Sequence, residues 1–245
     1  MKPKNLPILV IGSSGTIGSA VARKAIEQGY SVALHYYSNQ KAIDKIVLIA
    51  KGKNVNFYEC QSRLESEQNC KQLIEDVHKK MGNIYGLAIC SGRVGWKKWP
   101  LLQTPDWEQA FLEHCIVPYY LVRHALEQVT SIKRIVYLSS ISPKYGGSEL
   151  TLHYAAAKSA LESSMLGLSK KKVSSGVRIN GIRAGFVNSP QQHNGRTDFE
   201  LKQRVARIPV KRAGNPDEIA SGFIYLFSKD ADFINGEIIT IAGGD

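Results

Sequence analysis

The stretch from Pro7 to Gly18 limits what this chain can fold into more than any other. An apolar run, Pro7-Ile-Leu-Val-Ile11, ends in Gly12-Ser13-Ser14-Gly15-Thr16-Ile17-Gly18 and passes directly into a helical pattern that stops near Gly29. A short apolar run bounded by glycine reads as a strand covered on both faces, as strands of parallel sheets are. Parallel strands require crossover connections, usually helices. The sequence supplies these from end to end. Strand-like runs over 31–37, 55–60, 86–91, 134–139, 177–182 and 238–241 alternate with helical patterns, and no Pro/Gly/Ser-rich linker or internal repeat divides them. The expectation is a single α/β domain over residues 1–245, a parallel sheet with helices on both faces.

The glycine turn also implies a chemistry. Between a first strand and a first helix, glycines let the backbone approach a pyrophosphate, which then sits at the helix N-terminus. Gly12, Gly15 and Gly18, with Ser14, Thr16 and Ile17 between them, are therefore candidate dinucleotide contacts. At the end of the second strand an acid would bind the 2′-hydroxyl of NAD and repel the 2′-phosphate of NADP. This chain has Tyr36, Tyr37, Ser38 and Asn39 there, with Lys41 just beyond and no carboxylate before Asp44. Hydroxyls, an amide and a lysine suit a phosphate, so NADPH/NADP is expected in preference to NAD.

A second constellation lies downstream. Tyr154 and Lys158 are four apart in a helical run and share one face. Lowering a phenol by about 3 pKa units from its usual value near 10 takes about 4 kcal/mol. An ammonium about 5 Å away supplies roughly 3 kcal/mol at an effective dielectric of about 20. The pair can thus form a proton donor and acceptor that works near neutrality. Ser140 ends the apolar run that begins at Arg134. A hydroxyl at the carboxyl end of a central parallel strand stands where open α/β sheets bind ligands.

Ser140, Tyr154, Lys158 and the glycine turn resemble the short-chain dehydrogenase/reductase family, and the resemblance runs along essentially the whole chain. The segment after the second strand is similar to that of pteridine reductases and of 3-oxoacyl-carrier-protein reductases. The resemblance implies a Rossmann-type doubly wound sheet of seven parallel strands in the order 3-2-1-4-5-6-7. It implies an NADP-dependent oxidoreductase that passes hydride between NADPH and a substrate carbonyl. Tyr154 then carries the proton, Ser140 orients the carbonyl oxygen, and Lys158 shifts the phenol and holds the nicotinamide ribose. Gly92 would approach the adenine ribose, and Arg63 stands where the family has an adenine-binding Asp and could stack on the base. Gly185, Val187 and Ser189 fall near the nicotinamide carboxamide. The same likeness implies a homotetramer or dimer through the helices near 105–128 and 154–173. It also places the loop Arg93–Pro100, with Trp96 and Trp99, near the pocket mouth; the polar, turn-rich stretch from Gln191 to about Arg207 reads as a mobile lid over the substrate.

Three departures stand out. Thr16 replaces the middle glycine of the usual short-family spacing. Ile89-Cys90-Ser91-Gly92 stands where the family has Asn-Asn-Ala-Gly. His114 occupies the position of the fourth catalytic residue, an Asn. As part of a water relay to Lys158, His114 would give activity an acidic limb between pH 5 and 8; the alternative is that it merely packs. The altered positions also motivate a second reading, a nucleotide-sensing protein with little or no turnover.

Composition narrows the partners. The net charge of +11 favours anionic ligands and a small-molecule or carrier-bound anionic substrate. The lysines are scattered, with no basic arm, zinc finger or aromatic-interleaved basic strand, so nucleic acid is not expected. No apolar run approaches a membrane span. Four widely spaced cysteines with no C-x-x-C pair argue against a metal site or disulfide framework. With no signal-peptide pattern at the start, the expectation is a cytoplasmic protein.

Overall fold

The computed structural model describes residues 6–190 and 197–245. Pro7–Ile11 (β1) and Ser31–Tyr36 (β2) are buried at every position, as their unbroken apolar character requires. Phe57–Gln61 (β3), Gly86–Ile89 (β4), Arg134–Ser140 (β5), Arg178–Ala184 (β6) and Ile238–Ile241 (β7) complete one sheet. All pairings are parallel and the order is β3-β2-β1-β4-β5-β6-β7. β1 pairs with both β2 and β4, so the winding reverses there, and a crevice opens at the carboxyl ends of β1 and β4.

Helices cover both faces. Thr16–Glu27 (α1), Gln40–Gly52 (α2) and Pro216–Phe227, the last long helix, bury their apolar stripes on one side. Asn215 caps that last helix and Pro216 opens it, where the missing proline N–H costs nothing. Glu67–Met81 (α3) covers the other side together with the helices over 117–128 and 152–172.

The helical pattern near 105–128 is not one continuous helix. Thr104–Phe111 (α4) runs into a π turn, Leu112–Ile116, before Val117–Gln128 (α5) resumes. Pro118 supplies the reason. It has no N–H for the carbonyl four residues back, that of His114, and its ring would crowd it. The wider turn relieves the conflict and turns the His114 side chain inward.

Beyond β5, a short helix (Ser142–Tyr145, α6) precedes Leu152–Lys172 (α7), which carries Tyr154 and Lys158. The expected lid is part helix: Asp198–Arg207 (α8) is regular, while 191–196 lie outside the described residues. Thr197 and Glu200 close a reciprocal capping box at its start. No residue of α8 is buried, so it rests on the surface near the crevice. Among the described residues, no helix is long and apolar enough to cross a membrane.

Candidate active site

The glycine turn is fixed by its own backbone and by one histidine. A Cβ on Gly18 would lie 2.1 Å from the carbonyl oxygen of Gly12, so this close approach tolerates only glycine. His35, at the end of β2, brackets the turn. Its Nδ1 accepts from the Gly12 N–H at 3.3 Å, and its Nε2 donates to the Ser62 carbonyl at 3.1 Å. Burial pushes its pKa down to about 4, so the ring is neutral and the acceptor is kept. Nothing in the sequence pattern singled out His35; only the pairing of β1, β2 and β3 brings its two partners to it.

α1 starts without a side-chain cap and has no acid in its first turn. Its first N–H groups and its dipole are therefore offered to an anion. Gly15 at the N-cap is exposed, which leaves the backbone open to a phosphate. These features fit a dinucleotide pyrophosphate.

At the end of β2 the expected contacts divide. Tyr36 turns into the core, 5% exposed, and its hydroxyl donates to the Gln40 side chain. Gln40 in turn donates to Asp44 and Glu59, so both nearby carboxylates are engaged. Tyr37 and Ser38 are exposed. The Arg63 guanidinium lies 5.5 Å from the centre of the Tyr37 ring and pairs with Glu65. Arg63 thus brings a cation to the β2–α2 turn. Gln61 ends β3 and donates to the Tyr37 carbonyl, a contact the sequence did not announce.

The remaining predicted residues meet in one cavity of about 690 Å³. Gly15, Thr16 and Ile17 line it from the glycine turn and Gly92 from the end of β4. Ser140, Tyr154, Lys158 and His114 form its floor and wall, with Gly185, Val187 and Ser189 after β6. Gly12, Ser14 and Gly18 belong to the turn beneath it. Trp96 lines the cavity; Trp99 is exposed outside it.

Ser140 Oγ donates to Ser142 Oγ and accepts from the Ser142 N–H, both at 3.1 Å. Lys158 is 4% exposed, and its Nζ donates to the Leu138 carbonyl at 2.6 Å. It lies 5.9 Å from the centre of the Tyr154 ring. Burial pulls this lysine down to about 8, opposed by the charge of Glu162. The Tyr154 phenol differs from the sequence expectation. Burial pushes it up to about 12, against a smaller downward pull from a hydrogen bond with Ser140. Desolvation outweighs the expected help from Lys158, so the site holds a protonated phenol and not a poised phenolate.

His114 is buried against this pair. Its Nε2 donates to the Arg93 carbonyl at 2.9 Å, which leaves Nδ1 unprotonated and, among the described residues, without a hydrogen-bond partner. Its ring fills the space a Cβ on Gly92 would need: that atom would sit 2.3 Å from Cε1. Burial first, and Lys158 second, push His114 down to about 3. The acidic limb expected between pH 5 and 8 is therefore displaced below that range. Cys90, in the family's second asparagine position, has its thiol pushed up to about 12 by burial. It is a neutral neighbour of Lys158.

A doubly wound sheet with a glycine turn at its reversal point and a Ser–Tyr–Lys set in the same crevice defines a nucleotide-dependent α/β oxidoreductase. Residues 11–245 match the family model described as enoyl-(acyl carrier protein) reductase. The chain belongs to the short-chain dehydrogenase/reductase family. It is 27% identical over 244 residues to the glucose and ribitol dehydrogenase of Daucus carota, covering 96% of this chain and 83% of that protein. It is 29% identical over 243 residues to the uncharacterised oxidoreductase YmfI of Bacillus subtilis, covering 98% of each. The solved structure of the angucycline C-6 ketoreductase LanV with bound NADP superposes with a TM-score of 0.91 at 21% identity, covering 99% of this chain and 96% of that one. That likeness concerns the fold.

Proposed function

We propose that the protein is an NADPH-dependent carbonyl reductase that converts a ketone to a secondary alcohol. The observation that carries this reading is the cavity that joins the glycine turn to Ser140, Tyr154 and Lys158. When bound, NADPH supplies the hydride. Ser140 donates a hydrogen bond to the substrate oxygen and sets its position. Tyr154, protonated at neutral pH, gives its proton to that oxygen as negative charge develops on it. The ammonium of Lys158 stabilises the tyrosinate left behind. A phenol held above neutrality is protonated and ready to donate when the carbonyl is reduced.

Tyr37, Ser38 and the nearby guanidinium of Arg63 support NADP over NAD, since no carboxylate occupies positions 36 to 39. The net charge of +11 and the exposed Arg207 at the cavity rim suit an anionic or carrier-bound substrate. Exposed Ile116, Tyr119, Leu152 and Leu166, on the π turn, α5 and α7, support a homo-oligomer through these helices. A cytoplasmic location agrees with four free cysteines. The alternative, a nucleotide sensor without turnover, draws on Cys90 and His114. An NADPH-oxidation screen over ketones, sugar ketones and β-ketoacyl thioesters separates the two: turnover on any class excludes the sensor.

A further inference from the structure

One buried carboxylate beside the catalytic face has no part in the proton transfer described above. Glu162 lies on α7 one turn beyond Lys158 and is buried. Its Oε1 accepts from Ser139 Oγ at 2.6 Å and from Arg183 Nε at 2.9 Å, and its Oε2 accepts from Arg183 Nη2 at 2.6 Å. A forked guanidinium on a carboxylate is among the strongest side-chain pairings. The three residues come from three elements. Ser139 on β5 stands directly opposite Arg183 on β6, and Glu162 reaches both from the helix above.

Apolar side chains would seat a helix on a sheet at lower desolvation cost than a buried carboxylate. Its placement gives the charge a use. Residues four apart on a helix are neighbours, and Glu162 opposes the effect of burial on Lys158. Ser139 also precedes Ser140, so the clamp ends one residue from the catalytic hydroxyl.

We propose that Glu162 is a positioning residue. Held by Ser139 and Arg183, it seats α7 on β5 and β6 and gives the Lys158 ammonium a buried counter-charge. The inference rests on the role assigned to Lys158 above. The groups that face that ammonium are Cys90 from the end of β4, His114 from the π turn, and Tyr154 and Glu162 from α7. Cys90 and Tyr154 are both pushed up to about 12, and His114 is neutral. Among these described neighbours Glu162 is the one carboxylate. Arg183 binds the same carboxylate and offsets part of its charge. Removing either end of the clamp should therefore move Lys158 in opposite directions, which a purely structural role does not produce.

The test is an NMR titration of the lysine side-chain carbons of the full chain. It compares wild type, Glu162→Gln, Arg183→Gln and Glu162→Asp, with Lys158→Arg assigning the signal and thermal melts confirming the fold. The midpoint of Lys158 should fall by about one pH unit in Glu162→Gln, rise in Arg183→Gln, and stay near wild type in Glu162→Asp. Midpoints that coincide, or that move together in the first two variants, overturn the proposal. Should Glu162→Gln not fold, an Arg183→Gln midpoint at or below wild type overturns it alone. The titration uses no substrate, so it reads the clamp whether or not any carbonyl compound is turned over.

Discussion

The imidazole of His114 stands edge-on to the Tyr154 ring, with ring centres 4.8 Å apart and planes at 89°. This contact, with the Nε2 bond to Arg93, makes His114 a wall of the site whose charge state is fixed over the working range. Turnover of wild type and His114→Asn should follow the same course from pH 5 to 8, because the histidine is pushed down to about 3. His114→Ala should lose at least tenfold in rate, since a cavity opens under Tyr154. An acidic limb that His114→Asn removes would restore the titrating relay.

Acid should weaken the fold through the buried histidines. Above pH 6.5 neither the folded nor the unfolded chain protonates His35. Between 6.5 and its folded value of about 4, only the unfolded chain takes up the proton, so stability falls as pH falls. Below about 4 the loss from His35 is complete, at about 3 kcal/mol. His114 acts in the same direction and over a lower range. Denaturant melts at pH 7, 5 and 4 should show a shallower decline for His35→Gln than for wild type. Parallel declines would remove His35 from the account.

NADPH should bind at least tenfold tighter than NADH, about 1.4 kcal/mol, and Arg63→Ala should narrow that ratio. Calorimetric titration of both nucleotides reads it. Equal affinities would mean that the β2–α2 turn does not recognise a phosphate.

The glycines of the turn should separate by role. Gly18→Ala meets backbone at 2.1 Å, which no rotamer can relieve, and should lower Tm by several degrees and NADPH affinity at least tenfold. Gly15→Ala meets only the Gly12 carbonyl at 3.3 Å. It should melt close to wild type while still weakening NADPH. Thermal shift with and without nucleotide distinguishes these outcomes; a Gly18→Ala protein indistinguishable from wild type would contradict the assigned geometry.

How far the sequence carried depended on the range of the interaction. Unbroken apolar strands, the Gly12–Gly18 turn and the Tyr154–Lys158 spacing are local signals, and each was legible. The π turn was not, because Leu112–Ile116 keeps a helix-like pattern and only Pro118 hints at the break. α8 was hidden by its polar composition, although Thr197 and Glu200 spelled its cap. The burial of Tyr36 was not legible, because β2 is covered on both faces to its last residue and no local pattern says how far that cover reaches. His35 and the Ser139–Glu162–Arg183 clamp required strand register across 21 to 27 residues of separation, which no local pattern encodes.

The central claim is that Tyr154 delivers the proton in an NADPH-dependent carbonyl reduction. The direct measurement is turnover of wild type and Tyr154→Phe on whichever ketone, sugar ketone or β-ketoacyl thioester the screen identifies, with NADPH affinity measured in parallel. The change removes only the proton-bearing oxygen, so the variant should keep wild-type nucleotide affinity while its kcat falls below about a tenth. Lys158→Ala should lose both. A Tyr154→Phe enzyme that keeps more than a tenth of wild-type turnover, or a wild type that binds NADPH and reduces none of the three classes, would contradict the account.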